Sequence, residues 1–250
     1  PSQTSGYYCN STLTLIPANI QYRAQPPLDP QTGLPVAQPR VYGVHQATVT
    51  TPPGKDQWLD EYGRCRVSFP WDMDGSQDEE RSAWIRVSQG WAGGQLGTVS
   101  WPRVGQEVWV AYVHGDVDAP LIIGSASNPL NMPSWEMPSQ QALTGMRSRE
   151  LGDGSGNSPH GRSNHLILDD TQGKIQAQLK SDHAHSMLSL GHITRIEDNT
   201  GRKDYRGEGF ELRSDAHGAI RAADGLLITT QSRPSGGQHV LDSGETQQRL

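Results

Sequence analysis

The chain has 250 residues, a net charge of −6 and 33% hydrophobic residues, with 28 glycines and 17 prolines. That length fits one or two domains, and the composition describes a turn-rich chain with a thin core, of the kind completed by partner chains or by stacked repeats. The acidic balance argues against a surface that coats nucleic acid, the lack of an 18-residue apolar run against a membrane-spanning helix, and two cysteines (Cys9 and Cys65) against a disulfide framework.

Pro1 rather than methionine stands first, so the chain is expected to be a piece of something longer, and no charged-then-apolar leader is visible. Residues 12–17 (TLTLIP) form the first short apolar run and read as the last strand of an element that begins upstream. Pro26, Pro27, Pro30, Pro35 and Pro39 crowd residues 25–39 and predict an extended, semi-rigid connector. Strand signals then follow closely at 40–51, 63–71, 83–88, 107–114 and 120–124. Turn clusters separate them at 52–54, 72–77, 93–94 and 115–118. Five short strands with irregular loops in about 90 residues predict a small closed or half-closed barrel.

Within 63–69 (GRCRVSF), Cys65, Val67 and Phe69 share one face of a strand, and Arg64, Arg66 and Ser68 share the other. Cys65 therefore reads as a small buried hydrophobe. The strand ends in Pro70-Trp71-Asp72. In 107–114 both faces are bulky, Trp109 and Val113 on one and Val108, Val110 and Tyr112 on the other, so the strand needs cover on its outer side. Trp58, Trp71, Trp84, Trp91, Trp101 and Trp109 all fall in this region; they read as core aromatics or, for some, as the lining of a subunit interface.

Residues 126–163 are rich in Ser, Pro, Gly and Asn and read as a connector or a set of long loops. From 164 onward short alternating runs appear at 165–168, 174–179, 187–190, 210–213, 219–222 and 226–230. Asp-x-x-Gly turns punctuate them at 170–173, 198–201 and 215–218, where Asp is expected to cap the turn and Gly to take the left-handed conformation. The turns are unevenly spaced, so this is not a regular repeat. One chain could bury little with such runs; several copies wrapped together could bury much more.

No motif carries convincing chemistry. His183 and His185 would point the same way on a strand, with His192 nearby, but they lack Cys or carboxylate company at ligand spacing, so exposed strand histidines are the simpler reading. Residues 115–118 (GDVD) lack the later ligands of a calcium loop and read as a tight turn. Ser155 is not in a nucleophile elbow, and Gly173-Lys174 is not a phosphate loop. No catalytic, cofactor or metal residue is assigned. An oligonucleotide-binding module is the alternative class, since small barrels with exposed tryptophans can stack bases. Residues 40–118 hold 7 Lys/Arg against 11 Asp/Glu, which opposes a phosphate-binding groove. A hydrolase embedded in a structural protein is a further alternative.

Several stretches taken together resemble one family. They are 63–72 (GRCRVSFPWD), 101–108 (WPRVGQEV), 114–116 (HGD) through 124–125 (GS), 163–170 (SNHLILDD), 189–192 (SLGH) and 207–215 (GEGFELRSD). In this order they resemble VgrG, the spike protein of the type VI secretion system, related to the hub and needle of contractile phage tails. The resemblance covers about residues 40–230. It implies an all-β chain: the end of a hub domain and a Pro-rich connector at 1–36, an OB-fold barrel at 37–130, a connector at 131–163, and from 164–250 the start of a trimeric, intertwined β-prism needle. It implies a homotrimer that caps a tube of ring-shaped proteins, carries a tip protein and effectors beyond Leu250, and touches a target membrane only in passing. It further implies assembly in the bacterial cytoplasm before secretion or injection, with no enzymatic role and no nucleic-acid partner. Arg64, Arg66, Trp71 and Trp109 are the residues expected to meet the hub domain or a sister subunit. The valine–glycine repeats of the family are not visible, and 126–163 is too short to hold the cell-wall-cleaving domain found in some phage counterparts.

Overall fold

The computed structural model describes residues 27–73, 82–152, 157, 160–232, 236–237 and 239–247. The expected strand at 12–17, Cys9, the later part of the 72–77 turn and most of the 152–156 loop lie outside the described residues.

The first half folds where its period-2 alternation predicts. Its strands are Val44–Thr50 (β1), Arg66–Ser68 (β2), Arg86–Val87 (β3), the short ribbon Ala92–Gly93 (β4) and Leu96–Gly97 (β5), Glu107–Tyr112 (β6) and Pro120–Gly124 (β7). Five of them form one sheet in the order β2-β1-β6-β7-β3, with β3 parallel to β7 and the other pairs antiparallel. Cys65 and Ile85 exchange two backbone hydrogen bonds of 3.0 and 2.8 Å, joining the sheet's two edges into a barrel. Alternate residues point inward, so Ala47, Val49, Cys65, Val67, Ile85, Val108, Val110 and Ile122 fill the interior. Phe69 and Tyr112 pack at its rim. The strand expected at 63–71 is cut short because the chain turns at Pro70, where the Asp72 amide bonds the Phe69 carbonyl.

The register gives the barrel two distinct mouths. The start of β1, the end of β6 and the start of β7 meet at one, beside the segment that enters the barrel, where Arg40 donates to the His114 carbonyl (3.2 Å). The end of β1 and the start of β6 meet at the other, which faces the chain's second half. There Arg103 donates to the Arg149 carbonyl at 2.6 Å, and the Gly152 amide donates to the Asp56 carboxylate.

The second half is one antiparallel sheet. Leu143–Arg147 (β8), Asn164–Asp169 (β9), Gln176–Ser181 (β10), Ser186–Ile196 (β11) and Arg202–Arg213 (β12) pair in simple sequence order. β8 lies inside the stretch expected to be a connector. β11 and β12 run well past the short apolar runs that marked them, because glycines and polar residues continue the ladder: Gly191 faces Gly209 and His192 faces Glu208. Runs 219–222 and 226–230 belong to no strand. Trp135 and Leu143 bury with Ile167 and Ile196 in a second, smaller core. The segment leading into β8 is also tied to the 198–201 turn, since Gln140 Oε1 accepts from the Arg202 amide and guanidinium.

Of the three Asp-x-x-Gly turns, 198–201 forms in full as read, and 170–173 in part, with Gly173 at φ +70. Asp198 accepts from the Thr200 amide and hydroxyl, and Gly201 has φ +80. Hydrogen bonds from Lys203 and Thr200 hold the Asp198 carboxyl down at about 2. At 170–173 the capping acceptor is Asp169 rather than Asp170, and at 215–218 Asp215 pairs with Arg213 instead. No helix among the described residues is long and apolar enough to cross a membrane.

Candidate functional site

Of the four residues expected at an interface, Arg64, Arg66 and Trp109 lie on the barrel's flank and Trp71 at one of its mouths. Arg66 stands on the outside of β2, its guanidinium 5.0 Å from the Trp58 ring and 4.9 Å from the Trp84 ring. Those two indoles meet edge to face at 4.7 Å, so their faces serve this cation, an arrangement worth about 0.5–2 kcal/mol per contact. They form no open platform for stacking bases. Arg64 pairs with Asp60 at 2.5 Å and lies over Tyr62. Although burial works against it, hydrogen bonds from the Arg64 and Tyr62 amides and the Arg64 side chain hold the Asp60 carboxyl below its ordinary range. Trp71 lies at the barrel mouth nearer residues 27–42, stacked on Phe69 at 4.6 Å and edge-on to His45 at 5.4 Å, yet it remains 56% exposed. Trp109 is half-buried on the outer face of β6, opposite Gln46 and Gly124.

Cys65 is fully buried in the barrel, and desolvation pushes its thiol up to about 12. A thiolate is the reactive form, so this side chain is chemically silent while the barrel is closed. With Cys9→Ser removing the other thiol, alkylation is expected to label no cysteine in the native protein and one after denaturation. Labelling of native protein at the rate of a free thiol would show that the barrel opens.

The second sheet has its polarity inverted. On one face the register aligns Met146, Leu166, Leu179, Leu188 and Leu212 in a rung that crosses all five strands. One step further along, Leu168, Ala177, Leu190 and Phe210 make a second rung. These side chains face solvent, with Leu179 57% and Phe210 77% exposed. The opposite face is buried and largely polar. His165 donates from Nε2 to Gln178 Oε1 at 2.7 Å, and Gln178 donates to Ser189 at 2.9 Å. Lys180 is buried and paired with Asp182 at 3.2 Å, and Asp169 is buried and paired with Arg202 at 3.3 Å. Gln176 bonds the amide, hydroxyl and carbonyl of Thr194, bridging the irregularity in the β11–β12 pairing. A cavity of about 600 Å³ opens on this face. Its charged lining is matched within the chain, Arg195 with Asp204, Arg206 with Glu211 and Arg213 with Asp215, so it offers no surplus charge to a ligand.

Burial pushes the His165 pKa below its ordinary value, against the opposing hydrogen bond to Gln178; Lys180 and Arg147 push the same way and Asp182 opposes them. The unfolded chain therefore binds a proton at His165 before the folded one does. The sheet keeps this contribution above about pH 6.5 and loses it as pH falls below that, before the carboxylates titrate near 4. Urea midpoints measured from pH 8 to 5 are expected to fall less steeply for His165→Gln than for the parent protein. Equal slopes would remove His165 as the cause.

The three histidines weighed as metal ligands are not brought together. His183 and His185 lie in a 3-10 turn, His183–His185, not on a strand, because Ala184 and His185 take positive φ. His183 contacts Arg162, whereas His192 stacks on Tyr205 and faces Glu208 on the sheet. Among the described residues no group of three or more His, Cys, Asp or Glu is arranged to hold a metal ion. Residues 115–118 form a tight turn closed by the Asp116 carbonyl and carboxylate.

A closed five-stranded barrel joined to a sheet that hides its polar face and exposes its leucines defines an all-β protein of two successive sheets. Comparison with known families agrees. Residues 55–126 match the family described as type VI secretion system/phage-baseplate injector OB domain, and residues 157–250 match the type VI secretion system Rhs element Vgr family. The type VI secretion system spike protein VgrG2a of Pseudomonas aeruginosa is 42% identical over 236 residues, covering 94% of this chain and 26% of that protein. VgrG2b of the same organism is 42% identical over 236 residues, 94% of this chain and 21% of that protein. A Vibrio cholerae protein named actin cross-linking toxin VgrG1 is 36% identical over 191 residues, 76% of this chain and 16% of that protein. The chain belongs to the VgrG family of type VI secretion spike proteins, and its barrel is the family's OB domain. It spans about a quarter of the length of VgrG2a and about a fifth of that of VgrG2b.

Proposed function

We propose that this chain is the barrel-and-needle part of a trimeric, cell-puncturing spike that caps the type VI secretion tube and carries effectors through target membranes. What supports this reading most is the double rung of exposed leucines on the second sheet. An apolar face of this kind on a solvated sheet marks an interaction surface. Three copies burying it against one another would supply the core that a single chain lacks. The work is mechanical, and no catalytic residue is assigned to these positions; the toxin activity in one relative's name belongs to that relative.

In this reading residues 1–36 end the hub, 37–130 form the barrel, 131–163 connect and 164–250 begin the needle. Trp71, at the mouth beside the entering chain, meets the hub. Arg64, Arg66 and Trp109, on the barrel's flank, meet the hub or a sister subunit. A ring-shaped tube protein sits at the base, and a tip protein and effectors lie further along. The spike assembles in the bacterial cytoplasm and then leaves the cell through the secretion machine. Absolute mass by light scattering tests the reading. Three chains per particle is the expected result, and a folded monomer would overturn it.

A further inference from the structure

The ribbon β4–β5 is another apolar feature the fold leaves uncovered. Residues 91–100 are all exposed, including Trp91, Leu96 and Val99. Between Arg86 and Arg103 the chain carries no charged residue. Two-residue strands cannot hold a ribbon together in water, and natural ribbons of this size lean on a neighbour. Yet the shape is built with care. Gln89 clamps its base through both the amide and the carbonyl of Ser100. Gly97, at φ +128, lets the Trp91 carbonyl approach where any Cβ would collide with it.

Its place in the fold indicates its partner. β3 runs parallel to β7, so the ribbon that follows β3 leaves the barrel at the mouth facing the second sheet, the same mouth at which Arg103 reaches Arg149. Arg149 comes two residues after β8, so the end of the second sheet nearest the barrel is the end that holds Arg147 and Asn164. The leucine rung closest to that end is the one containing Met146, Leu166 and Leu179. Two uncharged, apolar surfaces therefore flank one junction, and they are of different shape: a narrow ribbon and a sheet face about 19 Å wide across five strands. A threefold ring needs such a pair, since each of its contacts joins two different patches rather than one patch to itself.

We propose that the ribbon of one copy docks on the barrel-proximal leucine rung of the next copy, latching barrel to needle around the ring. This rests on the trimeric reading and specifies a contact within it. The second rung, with Phe210, is left to pack against the other sheets.

The test uses two variants in a Cys9→Ser background, one carrying Leu96→Cys and the other Leu179→Cys, assembled together and oxidised. Cys65 is buried and takes no part. A disulfide-linked pair containing one chain of each kind is expected. If light scattering gives three chains and no mixed pair forms, the docking is wrong and the trimer stands. If it gives one chain, both fall. Trp91→Ser with Leu96→Ser is expected to raise the concentration at which trimers dissociate by about tenfold or more. Continued silence of Cys65 in that variant reports an intact barrel, and unchanged dissociation would count against the latch.

Discussion

Replacing Leu179 by aspartate is expected to turn a three-chain particle into a folded single chain. Leu179 sits at the centre of the exposed rung, opposite Leu166 on β9 and Leu188 on β11. Leu179 is 57% exposed in the single chain, so the substitution leaves the sheet's hydrogen bonds and its buried polar face as they are. In a trimer the same position is removed from water three times. Fully burying a leucine contributes about 1.5–3 kcal/mol, so burying the exposed half of Leu179 in three copies contributes about 4 kcal/mol, which corresponds to about three orders of magnitude in the association constant. A carboxylate at the seam adds a desolvation cost on top. Light scattering gives the mass, and far-ultraviolet circular dichroism checks that the strand signal persists. A monomer with parental strand content supports the shared face. A trimer of unchanged stability would mean that the leucines face something else. Lys180→Asp, one residue away on the opposite face, is the contrasting variant: it is expected to destabilise the sheet itself, because it places a carboxylate beside Asp182 where a cation is paired now.

The barrel was readable from sequence because its signal is local. In 63–69 the inward Cys65, Val67 and Phe69 are apolar and the outward Arg64, Arg66 and Ser68 polar, and this alternation survives folding; in 107–112 both faces are bulky, and Val108 and Val110 are the ones that turn inward. The second sheet shows where such a signal stops. Alternation in 164–169 separates His165, Ile167 and Asp169 from Leu166 and Leu168, but it does not say which face the chain covers. The habit of placing leucine inside gives the wrong answer for the single chain, because His165 and Asp169 are the buried ones. Their burial depends on partners far off in sequence: Gln178 for His165, and Arg202 for Asp169. β8 was missed for a related reason. Residues 143–147 (LTGMR) carry a glycine and one buried side chain, and they become a strand only because β9 offers an edge. The setting of Arg66 was equally hidden, since Trp58 and Trp84 lie 8 and 18 residues away with no spacing rule to link them. His183 and His185 would point the same way only on a strand, but the backbone turns there, with Ala184 and His185 at positive φ.

Ile122→Ala is expected to open the barrel while leaving the leucine sheet folded. Ile122 is fully buried on β7, and in register it faces Val110 on one side and Val87 on the other. Eight buried side chains make up this core, and the smaller core of the second sheet shares none of them. Removing three carbons from a buried isoleucine costs about 2–5 kcal/mol, of which part reflects the cavity left behind. Against a total of about 5–15 kcal/mol for a whole domain, that is a large share for so small a barrel. The buried thiol provides a local readout. Cys65 belongs to the same core, and its labelling rate follows the fraction of time the barrel is open. In a Cys9→Ser background the rate is expected to rise about 30-fold or more, with the particle still of three chains. A labelling rate equal to the parent's would mean that the barrel draws its stability from neighbouring copies rather than from its own interior, and that the ribbon-to-rung contact is holding it shut.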